Sequence, residues 1–543
     1  MEEITRQSAK YCNDFWEFLN KLELFGERPA LTWFTRQGEK KTKTYFEFVS
    51  DVKALRKVFI QRQLAGKHLA LVGENSYEWL LVYFAAVSCG GVAVCIDVEQ
   101  SEETIKNMVE WADSEAIFVS TSCSEIFGED KKNVFKLDSK ENSRISVNQL
   151  LETAYESSVL QEEENIVLTG LQTAAIVYTS GTTDISKPVM LSQRALLINA
   201  EESNQVVDVG SPTFSSLPFC HTYGLTCALT ASLLRGAELV FNGDIRTTMR
   251  DMKLSGAYSI LTVPLVVEVL YQQMWNWAEQ SGKAKELKKV FKYQTWKHKL
   301  GLRTMPSEFD EIRKNLVGTI KLIICGGAHL DCKMAETMKL LGMEILEGYG
   351  ITECSPLVSV NEYKNNRLRT VGKPLPSCKV RIKEGEIQVS GPCVMSGYYK
   401  MNEETKKVMK DGWFCTGDLG EIDKDGYLKI TGRSKNLIVF KNGKKVSPEI
   451  YEEKLKKIPV VEEVLVYGAS AGGSLDDVKI VASIYPNQTM VKEMSSYEIL
   501  ETLQTEIDKL NNTLPFYQQI QMMHIRDEEF DKNTMRKIKR YTV

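Results

Sequence analysis

An uncharged run of 18 residues, Trp79–Ile96 (WLLVYFAAVSCGGVAVCI), constrains this chain more than any other stretch. Its length lies at the lower edge of a membrane-spanning helix, which needs about 20 apolar residues. Gly90 and Gly91 interrupt it. The run therefore reads as a buried helix ending near Ser88, a glycine turn and a buried strand Val92–Ile96, with another strand-like run at His68–Val72 before it. Strand, helix, strand at this spacing is a βαβ unit, which commits the chain to a parallel sheet covered by helices.

The same alternation continues on both sides. Helical periodicity marks Phe15–Leu24, Phe46–Phe59 and Ser101–Ala112, and AIFVS reads as a further strand. Residues 152–168 are acidic and polar and read as a surface helix and linker, after which AAIVY (Ala174–Tyr178) is a buried strand. From Val380 the texture changes to short β pieces. The last hundred or so residues hold a helix at Pro448–Ile458, strands VEEVLVYG and VKIVASIY, and a helix at Ser496–Asn511. No fixed-period repeat is present.

With 68 Lys and Arg against 72 Asp and Glu, the net charge is −4, which excludes a nucleic-acid binder held by a general positive field. Apolar residues at 43% and charged residues at 26% fit a soluble globular protein. The 12 cysteines are never closer than six residues apart, so no CxxC metal or redox pattern exists. The polar start MEEITRQSAKYCNDFW has no apolar leader core. These features predict free thiols and a reducing, cytoplasmic location. Residues 271–303 are helical in periodicity, basic and rich in Trp. Such a face can touch anionic membrane or a lipid-like substrate; the alternative is a solvated helix with inward-packed aromatics.

After AAIVY comes Thr179-Ser180-Gly181-Thr182-Thr183-Asp184-Ile185-Ser186-Lys187. Backbone N–H groups and hydroxyls of such a loop can cradle phosphate oxygens, and the lysine adds a cation. A Walker A loop would need Gly at 186 and Ser or Thr at 188, and the chain has Ser186 and Pro188.

This loop resembles the phosphate-binding loop of the adenylate-forming superfamily, which includes acyl-CoA synthetases, adenylation domains and luciferases. Further motifs follow in the family's order: LPFCHTYGL (Leu217–Leu225), CGGA (Cys325–Ala328), EGYGITE (Glu347–Glu353), GWFCTGD (Gly412–Asp418), TGRSK (Thr431–Lys435) and TMRKIK (Thr534–Lys539). The resemblance runs from about residue 28 to the end and is strongest to long-chain fatty-acid CoA ligases. It implies an α/β fold: a large N-terminal domain of mixed and parallel sheets packed with helices plus a β subdomain, residues 1–432, and a small mobile α+β C-terminal domain, residues 433–543. It implies activation of a carboxylic acid, medium- to long-chain, to acyl-AMP with ATP and Mg²⁺, then transfer to coenzyme A. Two other readings remain open: transfer to the phosphopantetheine thiol of an acyl carrier protein, and a non-catalytic nucleotide- or acyl-binding protein.

A carboxylate is a poor electrophile, and joining it to a phosphate brings two anions together, so the site must supply positive charge. By resemblance Lys537, Thr352, Glu353 and His221 are catalytic, with Glu353 also holding the metal. Thr179, Ser180, Gly181, Thr182, Thr183, Lys187, Gly326, Gly327, Ala328, Gly348, Tyr349, Asp418 and Arg433 bind ATP or AMP. Lys435 is the hinge and Gly443 lines the thiol tunnel. The acyl pocket is expected between 255–270, 325–328 and the Tyr349 loop. The chain departs from the family at Asp184, Ser186, Pro188 and Gln193, where Gly, Pro, Gly and His are usual. Asp184 places negative charge where polyphosphate should sit, which weakens ATP binding if it faces inward.

Overall fold

The computed structural model describes residues 11–128, 133–138, 144–156, 166–179, 186–299, 307–328, 330–440, 445–470, 478–532 and 538–540. His68–Ile96 forms the βαβ unit that the sequence requires. Ser76 caps the helix Tyr77–Ser88, its Oγ accepting from the Trp79 N–H at 3.1 Å. Every residue of that helix except Glu78 is buried, which explains the missing polar face. The strand Val92–Ile96 is wholly buried and pairs in parallel with His68–Val72 on one side and Thr173–Tyr178 on the other. Among the described residues no helix is long and apolar enough to cross a membrane.

These strands belong to a seven-stranded sheet whose order runs 397–398, 188–192, 173–178, 92–96, 68–72, 116–119, 134–136. The last five are mutually parallel. A nine-stranded sheet carries the parallel strands Glu344–Gly350, Leu322–Cys325, Ser259–Thr262, Thr213–Ser215, Leu239–Phe241 and Pro29–Phe34 as neighbours. Antiparallel strands flank them on both sides. Phe15, Phe18, Phe48, Tyr83 and Phe84, all fully buried, pack edge-to-face or stacked with centroids 5.1–6.0 Å apart. Such pairs add about 0.5–1.5 kcal/mol each beyond area burial.

The chain divides into two compact units. The first takes the described residues up to Val380 together with Val389–Phe414; the second takes Arg381–Gln388 and the described residues from Cys415 on. In the second unit, strands Val461–Ser470, Val478–Pro486 and Ile520–Ile525 form a three-stranded sheet. Its core gathers Tyr451, Leu455, Val464, Val466, Ile480, Ala482, Ile484, Leu503 and Ile507. The helix Ser496–Asn511 has the bounds its sequence suggested; Pro448–Ile458 shortens to Glu449–Leu455, with Pro448 as the cap. Together these elements make the α/β architecture that the sequence predicts.

The basic segment 271–303 is not one helix. Pro264–Gln280 and Ala284–Lys299 are separate helices, divided at Gly282, whose φ of +70° favours glycine. Trp275, Trp277 and Phe291 pack on the core, whereas Tyr293 and Trp296 face outward.

Glu347 lies in Glu344–Gly350 opposite Cys325 and is 8% exposed. Desolvation raises its pKa from 4.5 to about 7. Between these values the folded chain holds a proton that the unfolded chain has lost. The stability tied to that proton is full below about 4.5 and lost as pH rises through about 7. Glu347→Gln should remove this decline, so wild-type stability in urea falls relative to the variant across that window; parallel curves would contradict it.

Candidate active site

In the first unit, polar groups collect at the carboxyl ends of parallel strands, where α/β sheets place their ligands. Asn75 follows His68–Val72, and its side chain organises the loop after Thr213–Ser215. Its Nδ2 donates to the Leu217 and Asn242 carbonyls at 2.9 and 3.2 Å, and its Oδ1 accepts from the Phe219 N–H at 2.8 Å. That loop delivers Cys220 and His221. Asp97, immediately after Val92–Ile96, meets His221 with Oδ2 and Nε2 3.3 Å apart. The helical turn that follows, Tyr223–Thr230, approaches closely: a Cβ at Gly224 would lie 2.2 Å from the Pro218 carbonyl oxygen.

Ser259–Thr262, Leu322–Cys325 and Glu344–Gly350 are adjacent, so the three segments expected around the acyl pocket are neighbours. Tyr223 donates to the Ile324 carbonyl at 3.1 Å, and its ring lies against Gly326. Gly327 and Ala328 follow, with Ala328 exposed. Gly348 and Tyr349 pair with Val360 and Ser359, and Tyr349 is buried.

Thr352 and Glu353 stand in the turn after Glu344–Gly350. Asn199 holds this turn: its Nδ2 donates to the Cys354 and Leu357 carbonyls at 3.3 and 2.7 Å, and its Oδ1 accepts from the Leu357 N–H at 3.1 Å. The Glu353 carbonyl accepts from the Met395 N–H at 2.8 Å. The Glu353 carboxylate accepts from the Tyr398 hydroxyl at 2.8 Å. Burial and the charge of Glu353 push the Tyr398 phenol well up, so it stays a donor. On the same ring, the Lys187 ammonium lies 4.8 Å from the centroid and 3.1 Å from Glu404. Lys407 and Lys187 together hold the Glu404 carboxyl below its usual range. Glu353 offers hard carboxylate oxygen, the donor type that suits Mg²⁺.

Thr179 and Lys187 face each other: the Thr179 N–H donates to the Lys187 carbonyl at 3.0 Å, and the Lys187 N–H to Thr179 Oγ1 at 3.1 Å. Ser186 Oγ also donates to the Thr179 carbonyl. Ser180, Gly181, Thr182, Thr183 and Asp184 lie outside the described residues, as do Gly443 and Lys537. Two departures have structural work. Pro188 opens a strand, the position where its missing N–H is tolerated. Gln193 is fully buried, accepts from the Phe15 N–H at 2.8 Å and donates to the Val87 carbonyl at 2.9 Å.

In the second unit, Asp418 and Arg433 are register partners on antiparallel strands, Nε to Oδ1 2.7 Å apart. Asp418 is 3% exposed. Thr416 Oγ1 accepts from the Asp418 N–H at 3.0 Å and donates to the Ile387 carbonyl at 2.7 Å. Lys435 is exposed in the short turn Ser434–Asn436. The tail is anchored by Arg540, which meets Glu452 at 2.6 Å and the Val466 carbonyl at 3.1 Å.

Sequence reasoning missed Asp97, Tyr398, Glu404, Asn75 and Asn199. Asp97 had a visible signal, a carboxylate directly after a buried strand. Tyr398 had none, because its position follows from the pairing of 397–398 with 188–192.

Parallel strands that present Thr179 with Lys187 opposite it, a carboxylate turn and a His–Asp pair at their carboxyl ends define an α/β nucleotide-binding enzyme. The chain belongs to the AMP-binding enzyme family: that family's model matches residues 18–399, and the model of the AMP-binding enzyme C-terminal domain matches 435–543. It is similar to the long-chain-fatty-acid–CoA ligase FadD15 of Mycobacterium bovis, 29% identical over 434 residues, 74% of this chain and 71% of that one. It is also similar to the peroxisomal long chain acyl-CoA synthetase 7 of Arabidopsis thaliana, 25% identical over 89% of this chain and 74% of that one. Among solved structures, o-succinylbenzoate CoA synthetase of Bacillus subtilis, in complex with its acyl-adenylate intermediate, shares the fold. Its TM-score is 0.74 at 20% identity, over 97% of both chains.

Replacing Gln193 by Leu leaves the Phe15 N–H buried without its partner, while the Val87 carbonyl keeps the bond from the Gly90 N–H at 3.4 Å. One orphaned buried group costs about 1–3 kcal/mol. Gln193→Leu should lower unfolding free energy by about 1–3 kcal/mol in urea; a loss under about 0.5 kcal/mol would show that the amide does not tie these segments.

Proposed function

We propose that this protein is an AMP-forming acyl-CoA synthetase that converts a medium- to long-chain fatty acid to acyl-AMP and then to its coenzyme A thioester. The observation that carries this reading is the Glu353–Tyr398–Lys187 group, a carboxylate and a cation on one phenol ring, with Lys187 bonded to Thr179 through the backbone. The names of the long-chain ligase relatives support the substrate class.

In this reading Lys187, the loop hydroxyls and the Thr352 hydroxyl bind ATP phosphates. Mg²⁺ held by Glu353 would neutralise phosphate oxygens. The Gly326–Ala328 and Gly348–Tyr349 segments hold adenine, and Asp418 accepts from the ribose hydroxyls with Arg433 fixing its orientation. Lys537 meets the charge that grows as the carboxylate attacks the α-phosphate. His221, oriented by Asp97, stands on the substrate side. The small domain from residue 433 moves about Lys435 between the half-reactions, and Gly443 leaves room for the thiol. Twelve free cysteines, all but Cys332 and Cys415 buried, support a reducing, cytoplasmic setting.

Pyrophosphate release with ATP and a panel of fatty acids tests the activation step, and its absence would favour the non-catalytic reading. Thioester formation with coenzyme A beside a holo-carrier protein decides the acceptor; exclusive use of the carrier overturns coenzyme A. Lys537→Ala should lower adenylate formation by about 10²–10³, the effect of removing one transition-state donor, and spare thioester formation from supplied acyl-adenylate. Equal loss in both steps would contradict the role.

The helix Ala284–Lys299 supports a peripheral membrane contact. Lys285, Lys289, Lys292 and Trp296 recur at helical spacing and are exposed, while Leu287, Phe291 and Gln294 face inward. Tyr293 and Trp296 stack with centroids 6.1 Å apart at 53% and 57% exposure. Near an anionic surface each lysine contributes about 1 kcal/mol. Lys289→Glu with Lys292→Glu should weaken binding to phosphatidylserine-containing vesicles at least about tenfold; unchanged sedimentation would remove this face from the account.

A further inference from the structure

The cluster at the head of the His221 loop has a second chemistry. One ligand atom from each of Asp97, Cys220 and His221 lies within 4.8 Å of the other two. A tetrahedral zinc site has bonds of about 2.0–2.3 Å, which place neighbouring ligand atoms about 3.3–3.7 Å apart. The 3.3 Å between Asp97 Oδ2 and His221 Nε2 already has that length. A shift of about 1 Å by the Cys220 side chain completes the triangle.

We propose that Asp97, Cys220 and His221 form a binding site for a borderline-soft divalent cation, Zn²⁺ in particular, separate from the carboxylate turn at Glu353. The donor set selects the metal. One thiolate, one imidazole and one carboxylate suit Zn²⁺, whereas Mg²⁺ prefers oxygen ligands alone. Three protein ligands leave a fourth position for water or a substrate oxygen.

The ligands are held before any ion arrives. Asn75 fixes the backbone on both sides of Pro218 through Leu217 and Phe219. Asp97 is set by the end of a wholly buried strand. The side chains of His221 and Asp97 are 14% and 13% exposed, and Cys220 is buried, so bulk water competes weakly for the ion. Binding forms an S–Zn bond and releases the Cys220 thiol proton to solvent; no electrons move. Because the thiol must lose its proton to bind, affinity increases with pH. An ion here takes up His221 Nε2, and Zn²⁺ is therefore an inhibitor of any reaction that needs this imidazole. The site stands independently of the activity proposed above, because its occupancy is read without turnover.

Titration of the full-length protein with Co²⁺ tests the assignment. One equivalent should give a thiolate-to-cobalt charge-transfer band that Zn²⁺ abolishes by displacement. Cys220→Ser should remove the band, and Asp97→Asn should weaken Co²⁺ binding at least tenfold. Cys95→Ser, which alters the buried thiol two residues before Asp97, should keep the band, and far-ultraviolet circular dichroism verifies that each variant is folded. Absence of the band in the wild type, or its persistence in Cys220→Ser, overturns the site.

Discussion

Burial of the helix Tyr77–Ser88 between strands that are themselves buried is the constraint from which the rest follows. A helix with almost no polar face cannot be left at a surface. Its strands must be parallel, and parallel strands end together on one side. That edge receives Asn75, Asp97 and Thr179 from the seven-stranded sheet. It is matched by His221, Gly326 and Glu353, which follow parallel strands of the nine-stranded sheet. Chemistry collects there because backbone groups at strand ends are free of the ladder.

Much of this was legible. The 18-residue run specified strand, helix and strand, because length, the glycine pair and the flanking apolar run agreed. The ordered motifs singled out Glu353 and Lys187, which meet on one phenol ring, and Asp418 and Arg433, which pair across two strands. What the sequence hid is whatever depends on partners distant in the chain. Tyr398 reaches Glu353 across 45 residues, and Lys187 meets Glu404 across 217. No local pattern records such pairings. In the basic segment the helical periodicity held, and what it did not record is the break at Ser281-Gly282, where Gly282 takes a positive φ. Gln193 looked like a loss relative to the family. Its amide instead joins three segments of the core, a role that no charge or spacing argument reveals.

Tyr398 also changes how Lys187 and Glu353 should be regarded. They act on one neutral ring, through its edge hydroxyl and its face respectively for the acid and the base. Their contributions are then coupled, and the effects of removing each are not additive.

Three carboxamides, Asn75, Gln193 and Asn199, tie down the segments that carry His221, the strand after the hydroxyl loop, and Glu353. An amide neither gains nor loses a proton in water's range. These three fastenings are thus silent to acid and base, while the groups they present are not. A change of pH alters the charge carried by the site and leaves the amide ties that hold its segments as they were.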